Sequence, residues 1–348
     1  MRKSQITVVC AAVLALLLGA ACTAKKAEIE PSELALFAPL PDTIPAKAGG
    51  PVPERVALGR MLYYEPRLSK NQKISCNTCH DLNNFGVDGH PTSDGHKGQK
   101  GDRNSPTVYN AAAQFVQFWD GRSPDVEDQA KGPVVNPVEM AMGSEKDVVS
   151  VLKSMPEYVA AFKKAYPEAK DPVTFANMAD AIGTFERGLI TPSRWDKFLK
   201  GDRAALTEEE KAGFKAFNAQ GCQACHAGAL LGGNLYQRIG AMKRYPDESD
   251  PGRYKVTKVE SDRFVFKVPT LRNIEKTGPY FHNGKVETLE DAIVRMSEYQ
   301  LGKQPDSADV KSIAAFLRAL TGEVPAEYIK QPTLPQSTPK TPKPSEAD

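Results

Sequence analysis

The chain has 348 residues, of which 41% are hydrophobic and 25% charged, with a formal charge of +2. This is enough for about two domains with sizeable cores. Arg2 and Lys3 account for the charge excess, since the 45 basic residues less these two equal the 43 acidic ones. The rest of the chain is near neutral and offers no basic face for nucleic acid.

Residues 1–21 read as an export signal. Arg2 and Lys3 form a basic start, an apolar run follows from Ile6 to Leu18, and Gly19, Ala20 and Ala21 precede Cys22. The run is short for a bilayer span. Two readings of Cys22 stand. It is the acylated first residue of a lipoprotein, or cleavage is ordinary and Cys22 is lost or left free. Leu18 lies one position further from the cysteine than a lipoprotein site usually has it. Cys10, inside the run, reads as a small hydrophobe.

Further along the chain, Leu58-Gly59-Arg60-Met61-Leu62-Tyr63 reads as a helix, and Cys76-Asn77-Thr78-Cys79-His80 follows it. Residues 81–107, rich in Gly, Asp, Asn and Pro, read as a long loop. Helical patterns recur near 145–165, 172–190, 287–298 and 306–321, and 253–268 could hold a hairpin. Ala212-Gly213-Phe214-Lys215-Ala216-Phe217 repeats the helix with a Gly and then an aromatic four positions on. Thr207 and Glu210 make a capping box for it. Cys222-Gln223-Ala224-Cys225-His226 follows. This self-similarity suggests a duplicated unit. The tail from Gln331, rich in Pro, Ser, Thr and Lys, reads as a solvated extension.

The two C-x-x-C-H motifs fit covalent c-type haem. Two thiols three positions apart can add to the vinyl groups of one porphyrin, and the next side chain reaches the iron as an axial ligand. A redox dithiol does not need the histidine, and a zinc site needs further ligands at matched spacing. Chemistry then depends on the opposite axial positions, because a doubly ligated haem moves electrons while an openable one binds peroxide. The remaining histidines are His90, His96 and His282. Met296 shares a helical face with Leu289 and Ile293, a pattern that by itself favours a core methionine over a ligand. Glu139 is an acid among apolar neighbours, a setting that raises a carboxyl pKa, although a loop acid at the surface fits the same pattern.

The chain resembles the bacterial di-haem cytochrome c peroxidases over nearly all of its mature length. The matches, besides the haem motifs, are Pro91-Thr92-Ser93-Asp94-Gly95-His96, Gly101-Asp102-Arg103-Asn104-Ser105-Pro106-Thr107, Gln117-Phe118-Trp119-Asp120-Gly121-Arg122, Glu127-Asp128-Gln129-Ala130-Lys131-Gly132-Pro133, Pro279-Tyr280-Phe281-His282 and Leu301-Gly302-Lys303-Gln304. The resemblance implies a mostly α fold of two cytochrome c-like domains, each with one covalent haem. Residues 32–187 would form the peroxidatic domain, with 322–335 packing back on it, and 188–321 the electron-transfer domain, followed by a flexible tail over 331–348.

The resemblance also implies the site. Cys76, Cys79 and His80 would hold the first haem, with His96 as its removable distal ligand. Cys222, Cys225, His226 and Met296 would hold the second. Trp119 would lie on the electron path between them, where its residue type alone suggests core packing. Glu139, with Gln129 near it, would move the proton that splitting an O–O bond requires. A calcium ion would take Asn104 through its side chain and Thr277 and Pro279 through backbone carbonyls. His282 would lie beside the second haem, and His90 has no assigned role.

The implied activity is periplasmic reduction of hydrogen peroxide to water with electrons from a small c-type cytochrome or cupredoxin. Reduction of the second haem would release His96 and so activate the first. A homodimer is implied too. One alternative is a non-enzymatic di-haem electron carrier. Another is a related di-haem enzyme that oxidises tryptophans of a partner protein, which has Tyr where Met296 stands.

Overall fold

A computed structural model of the chain describes residues 27–47 and 53–346. The expected export segment and Cys22 lie outside the described residues. Helices joined by long irregular segments build the fold, and its only sheet among the described residues has two strands.

The molecule has two cores, each built on a crossing of two helices. In the first, Pro53–Tyr63 crosses Phe175–Glu186. Leu58, Leu62 and Tyr63 of one helix and Ala181, Ile182 and Phe185 of the other are buried between them. In the second, Glu208–Gln220 crosses Ser307–Arg318 over Phe214, Phe217, Ile313 and Phe316. Each crossing is made at a glycine. A Cβ on Gly59 would lie 1.9 Å from the Ala181 carbonyl oxygen, and one on Gly213 would lie 1.9 Å from that of Ser312. Phe185 and Phe316 follow those carbonyls by four residues and press on the same glycines, with Cβ atoms 2.9 and 3.0 Å from the added carbon. The duplication legible in the two sequence segments therefore extends to their partner helices. Thr207 and Glu210 make the expected capping box.

The helical pattern over 145–165 forms two helices, Glu145–Lys153 and Pro156–Ala165. Pro156 separates them, because a proline suits a first helical turn and not an interior. The hairpin expected within 253–268 does not form. Val265–Lys267 pairs antiparallel with Tyr236–Arg238 instead, and Tyr254–Thr257 is a helical turn.

The two ends of the chain are exchanged between the cores. Residues 32–40, expected with the first haem domain, lie on the second. Phe37 meets Trp195 and Phe214 edge-on at 5.7 and 5.3 Å, and the Leu40 N–H donates to Asp196 at 2.7 Å. Residues after 322 cross to the first core. The Tyr64 hydroxyl donates to the Ile329 carbonyl at 2.5 Å, and Tyr328 stacks on Phe185 at 5.1 Å. The tail is also laid down rather than solvated. Arg67 donates to the Pro335 carbonyl at 2.8 Å, Gln72 to that of Pro342 at 2.7 Å, and the Ser345 N–H to that of Lys70 at 2.9 Å. An extended Pro-rich segment makes no internal hydrogen bonds, so its carbonyls are free to accept from a neighbouring surface. Composition alone does not reveal that docking.

Candidate functional site

Each C-x-x-C-H motif opens into a cavity. Ser75 and Thr78 cap the Cys76–Cys79 turn. The His80 N–H donates to the Cys76 carbonyl at 3.0 Å, and the Tyr63 hydroxyl to the His80 carbonyl at 2.7 Å. Turn and histidine are thus tied to the first helix. None of the four motif cysteines forms a disulfide. Burial pushes the Cys79 and Cys222 thiols up to about 11, and that of Cys76 further. Such thiols are protonated at neutral pH, unlike the activated thiolate of a redox dithiol.

The residues present fit haem. Burial holds His80 and His226 below the ordinary histidine pKa, so both are neutral imidazoles. The His226 Nδ1 lies 3.0 Å from the Leu231 carbonyl. As a donor there, it leaves Nε2 as the ligating nitrogen. His226 and Met296 line the same cavity, together with Leu289 and Ile293 of the Leu289–Leu301 helix.

Glu139 and Gln129 line the first cavity with Cys76, Cys79 and His80. Burial raises the pKa of Glu139, against the opposing pull of the Arg122 guanidinium. Trp119 and Asn104 line both cavities. The Trp119 indole donates to the Asn104 carbonyl at 2.9 Å and meets the His282 ring edge-on at 6.4 Å. His282 is buried, stacks on Phe266 at 4.3 Å, and is pushed down to about 4 by that burial. Asn104, Thr277 and Pro279 all line the second cavity. The Asn104 side-chain nitrogen donates to the His90 carbonyl at 3.0 Å, which turns its oxygen to other partners. An amide oxygen with backbone carbonyls suits Ca²⁺.

Gly95 lines the first cavity, and His96 follows it. Its ring is buried but does not line the first cavity, and neither ring nitrogen has a hydrogen-bond partner among the described residues. The His96 N–H donates to the carbonyls of Val138 and Glu139 at 3.0 and 2.8 Å, which fastens the His96–Gly98 turn to the loop of the acid.

Sequence reasoning missed two buried ionisable groups. Glu186 lines the first cavity, and burial with the nearby Glu127 carboxylate pushes its carboxyl up to about 8, against Arg187. Lys267 lines the second. The available signals were an acid ending the largely buried helix Phe175–Glu186 and a lysine inside the apolar run Phe264–Pro269.

Comparison with known proteins places these features in one family. The family model described as di-haem cytochrome c peroxidase matches residues 53–204. A protein of Pseudomonas aeruginosa named cytochrome c551 peroxidase is 49% identical over 319 residues, covering 90% of this chain and 91% of its own. One of the same name from Nitrosomonas europaea is 46% identical, covering 82% of this chain and 85% of its own. The crystal structure of a MauG-like protein associated with microbial copper homeostasis superposes with a TM-score of 0.74 at 27% identity, covering 84% of this chain and 98% of that one. A family of di-haem proteins implies haem c at the two motifs. The chain belongs to the bacterial di-haem cytochrome c peroxidase family.

Proposed function

We propose that this protein is a periplasmic peroxidase. It reduces hydrogen peroxide to water in the His80 cavity, with electrons that enter through the His226 cavity from a small c-type cytochrome or cupredoxin. The observation that carries the reading is that Glu139 and Gln129 share one cavity with Cys76, Cys79 and His80, while Trp119 stands in the wall common to both cavities.

Haem held by Cys76 and Cys79, and by Cys222 and Cys225, supplies peroxide-binding iron and one-electron storage when bound. The remaining work falls to the chain. His80 would hold the first haem, and His226 with Met296 would hold the second, the histidines as neutral imidazoles. Gln129 orients peroxide by hydrogen bonding. The Glu139 carboxylate takes the proton from one peroxide oxygen and returns it to the other, so that the second leaves as water. Two electrons and two protons convert each peroxide to two waters. Trp119 provides an aromatic path through the shared wall. Asn104, Thr277 and Pro279 would hold calcium at that wall.

In this reading His96 would block the first haem of the fully oxidised protein, and reduction of the second would release it. The His96 ring outside the cavity supports the released arrangement. Export, either acylation at Cys22 or ordinary cleavage there, a homodimer and the two haem domains belong to the same reading, with segments near both ends of the described chain exchanged between the cores.

The His96→Ala variant tests the reading. It is expected to turn over peroxide without prior reduction, where the native protein needs it. A variant that still needs reduction removes the switch. Absence of turnover in both proteins favours the two-haem electron carrier.

A further inference from the structure

Lys267 ends the strand Val265–Lys267 and is 4% exposed. Its backbone N–H donates to the Trp119 carbonyl at 2.7 Å, so it is fixed beside the shared wall. Its ammonium hydrogen bonds to the side-chain oxygen of Gln114, which also lines the second cavity. Gln114 is itself confined, since a Cβ on Gly233 would lie 2.9 Å from its Cγ. No carboxylate among the described residues pairs with Lys267. The acids beside Phe266 are committed elsewhere: Arg103, whose guanidinium lies 5.7 Å from that ring, binds Asp250 at 2.5 Å and Asp120 at 2.7 Å.

A buried ammonium without a counter-charge is costly, and proteins pair such groups. Here burial alone pushes the Lys267 pKa down to about 8, with no charged group opposing it. The missing partner is an anion that enters the second cavity. Haem brings two propionate carboxylates to that cavity.

We infer that the Lys267 ammonium, held by Gln114, pairs with a propionate of the haem attached at Cys222 and Cys225. This rests on the haem placement proposed above. The pairing has a redox consequence. A propionate charge favours the ferric iron, and a fixed positive charge beside it cancels that preference. Lys267 therefore raises the reduction potential of the second haem and makes it the better electron acceptor of the two. Its role is positioning and electrostatic, through the cofactor.

The test uses the native protein, Lys267→Gln and Lys267→Arg, each verified by mass to carry two haems. The potential of each haem is followed by spectropotentiometry, and the propionate bending mode by resonance Raman. Lys267→Gln is expected to lower the reduced-to-oxidised ratio of the second haem about tenfold at fixed ambient potential, a midpoint fall of about 59 mV for one electron. The first haem keeps its midpoint, and Lys267→Arg retains most of the native value. The propionate mode of the second haem shifts in Lys267→Gln only. An unchanged second-haem midpoint with an unchanged propionate mode overturns the inference, as does an equal shift in both haems. If the variants do not fold, the native protein decides. A propionate mode sensitive to H/D exchange supports the ammonium pairing, and an insensitive one overturns it. A native chain that lacks the second haem overturns the haem reading and this inference with it.

Discussion

The backbone N–H of His96 donates to the carbonyl of Glu139 at 2.8 Å. The implied removable ligand and the implied proton carrier are therefore parts of one backbone unit. Gly95 tightens the junction, because a Cβ there would lie 1.9 Å from the Val138 carbonyl oxygen. A movement of the His96 turn that breaks these bonds also displaces the Glu139 loop. The position of His96 and that of the acid are thereby coupled through one element.

Gly95→Ala tests this junction. The added methyl forces the two loops apart, at a cost of about 1–3 kcal/mol. The half-reduced variant should retain more of the blocked, six-coordinate first haem than the native protein, as read by EPR. An unchanged spin-state distribution contradicts the coupling.

Glu139→Gln keeps the shape and removes the proton carrier. Peroxide turnover is expected to fall by about 10²–10⁴-fold, while cyanide still binds the first haem. The native pH profile carries the same information. Glu139 must be ionised to accept a proton, and burial raises its pKa. The acid limb should therefore lie above the ordinary carboxylate range and vanish in the variant. A native acid limb at the ordinary carboxylate pKa contradicts this role.

Glu186 gives a stability prediction. Its carboxyl is raised from 4.5 to about 8, so the folded state holds its proton more tightly than the unfolded chain. The stability this contributes is fully present below about pH 4.5 and is lost as pH rises through 8. Relative to the native protein, Glu186→Gln should gain on the order of a few kcal/mol between pH 5 and pH 9. Urea unfolding at the two pH values measures the difference, and parallel pH dependence in the two proteins contradicts it.

The helix crossings make a paired prediction. Gly59→Ala and Gly213→Ala each drive a methyl to within 1.9 Å of a carbonyl oxygen. Each should destabilise its core by about 1–3 kcal/mol. Calorimetry should show a lowered melting temperature for both. A variant with native stability would show that its crossing can relax.

Legibility in the sequence followed the range of the physics. The haem motifs, the Gly–aromatic helices and the Thr207–Glu210 cap are local patterns, and they stand where their spacing puts them. Phe37 against Trp195, or Tyr328 against Phe185, pairs residues remote in the chain, and no local pattern announces either contact. The docked tail was hidden because its contacts pair residues remote in the chain, and those at Pro335 and Pro342 use backbone carbonyls, which are the same for every residue type.

The site divided in the same way. Cys76, Cys79, His80 and their counterparts are a motif. Trp119 and Gln129 became visible only through family resemblance, and Glu139, singled out by its apolar neighbours, gained its role there, since a lone residue of each type has a commoner structural role. Glu186 and Lys267 stayed hidden because an acid at a helix end and a lysine in a short strand ordinarily face water. The His96 ring position depends on a Gly-rich loop bonded to residues 138 and 139, a geometry that composition does not encode.

The central claim is tested most directly by peroxide-dependent oxidation of a reduced small cytochrome c. The haem-loaded protein is assayed with calcium, with and without prior one-electron reduction. The account predicts fast turnover after pre-reduction and little before it. Absence of turnover in both states, across several cytochrome and cupredoxin donors, would contradict it.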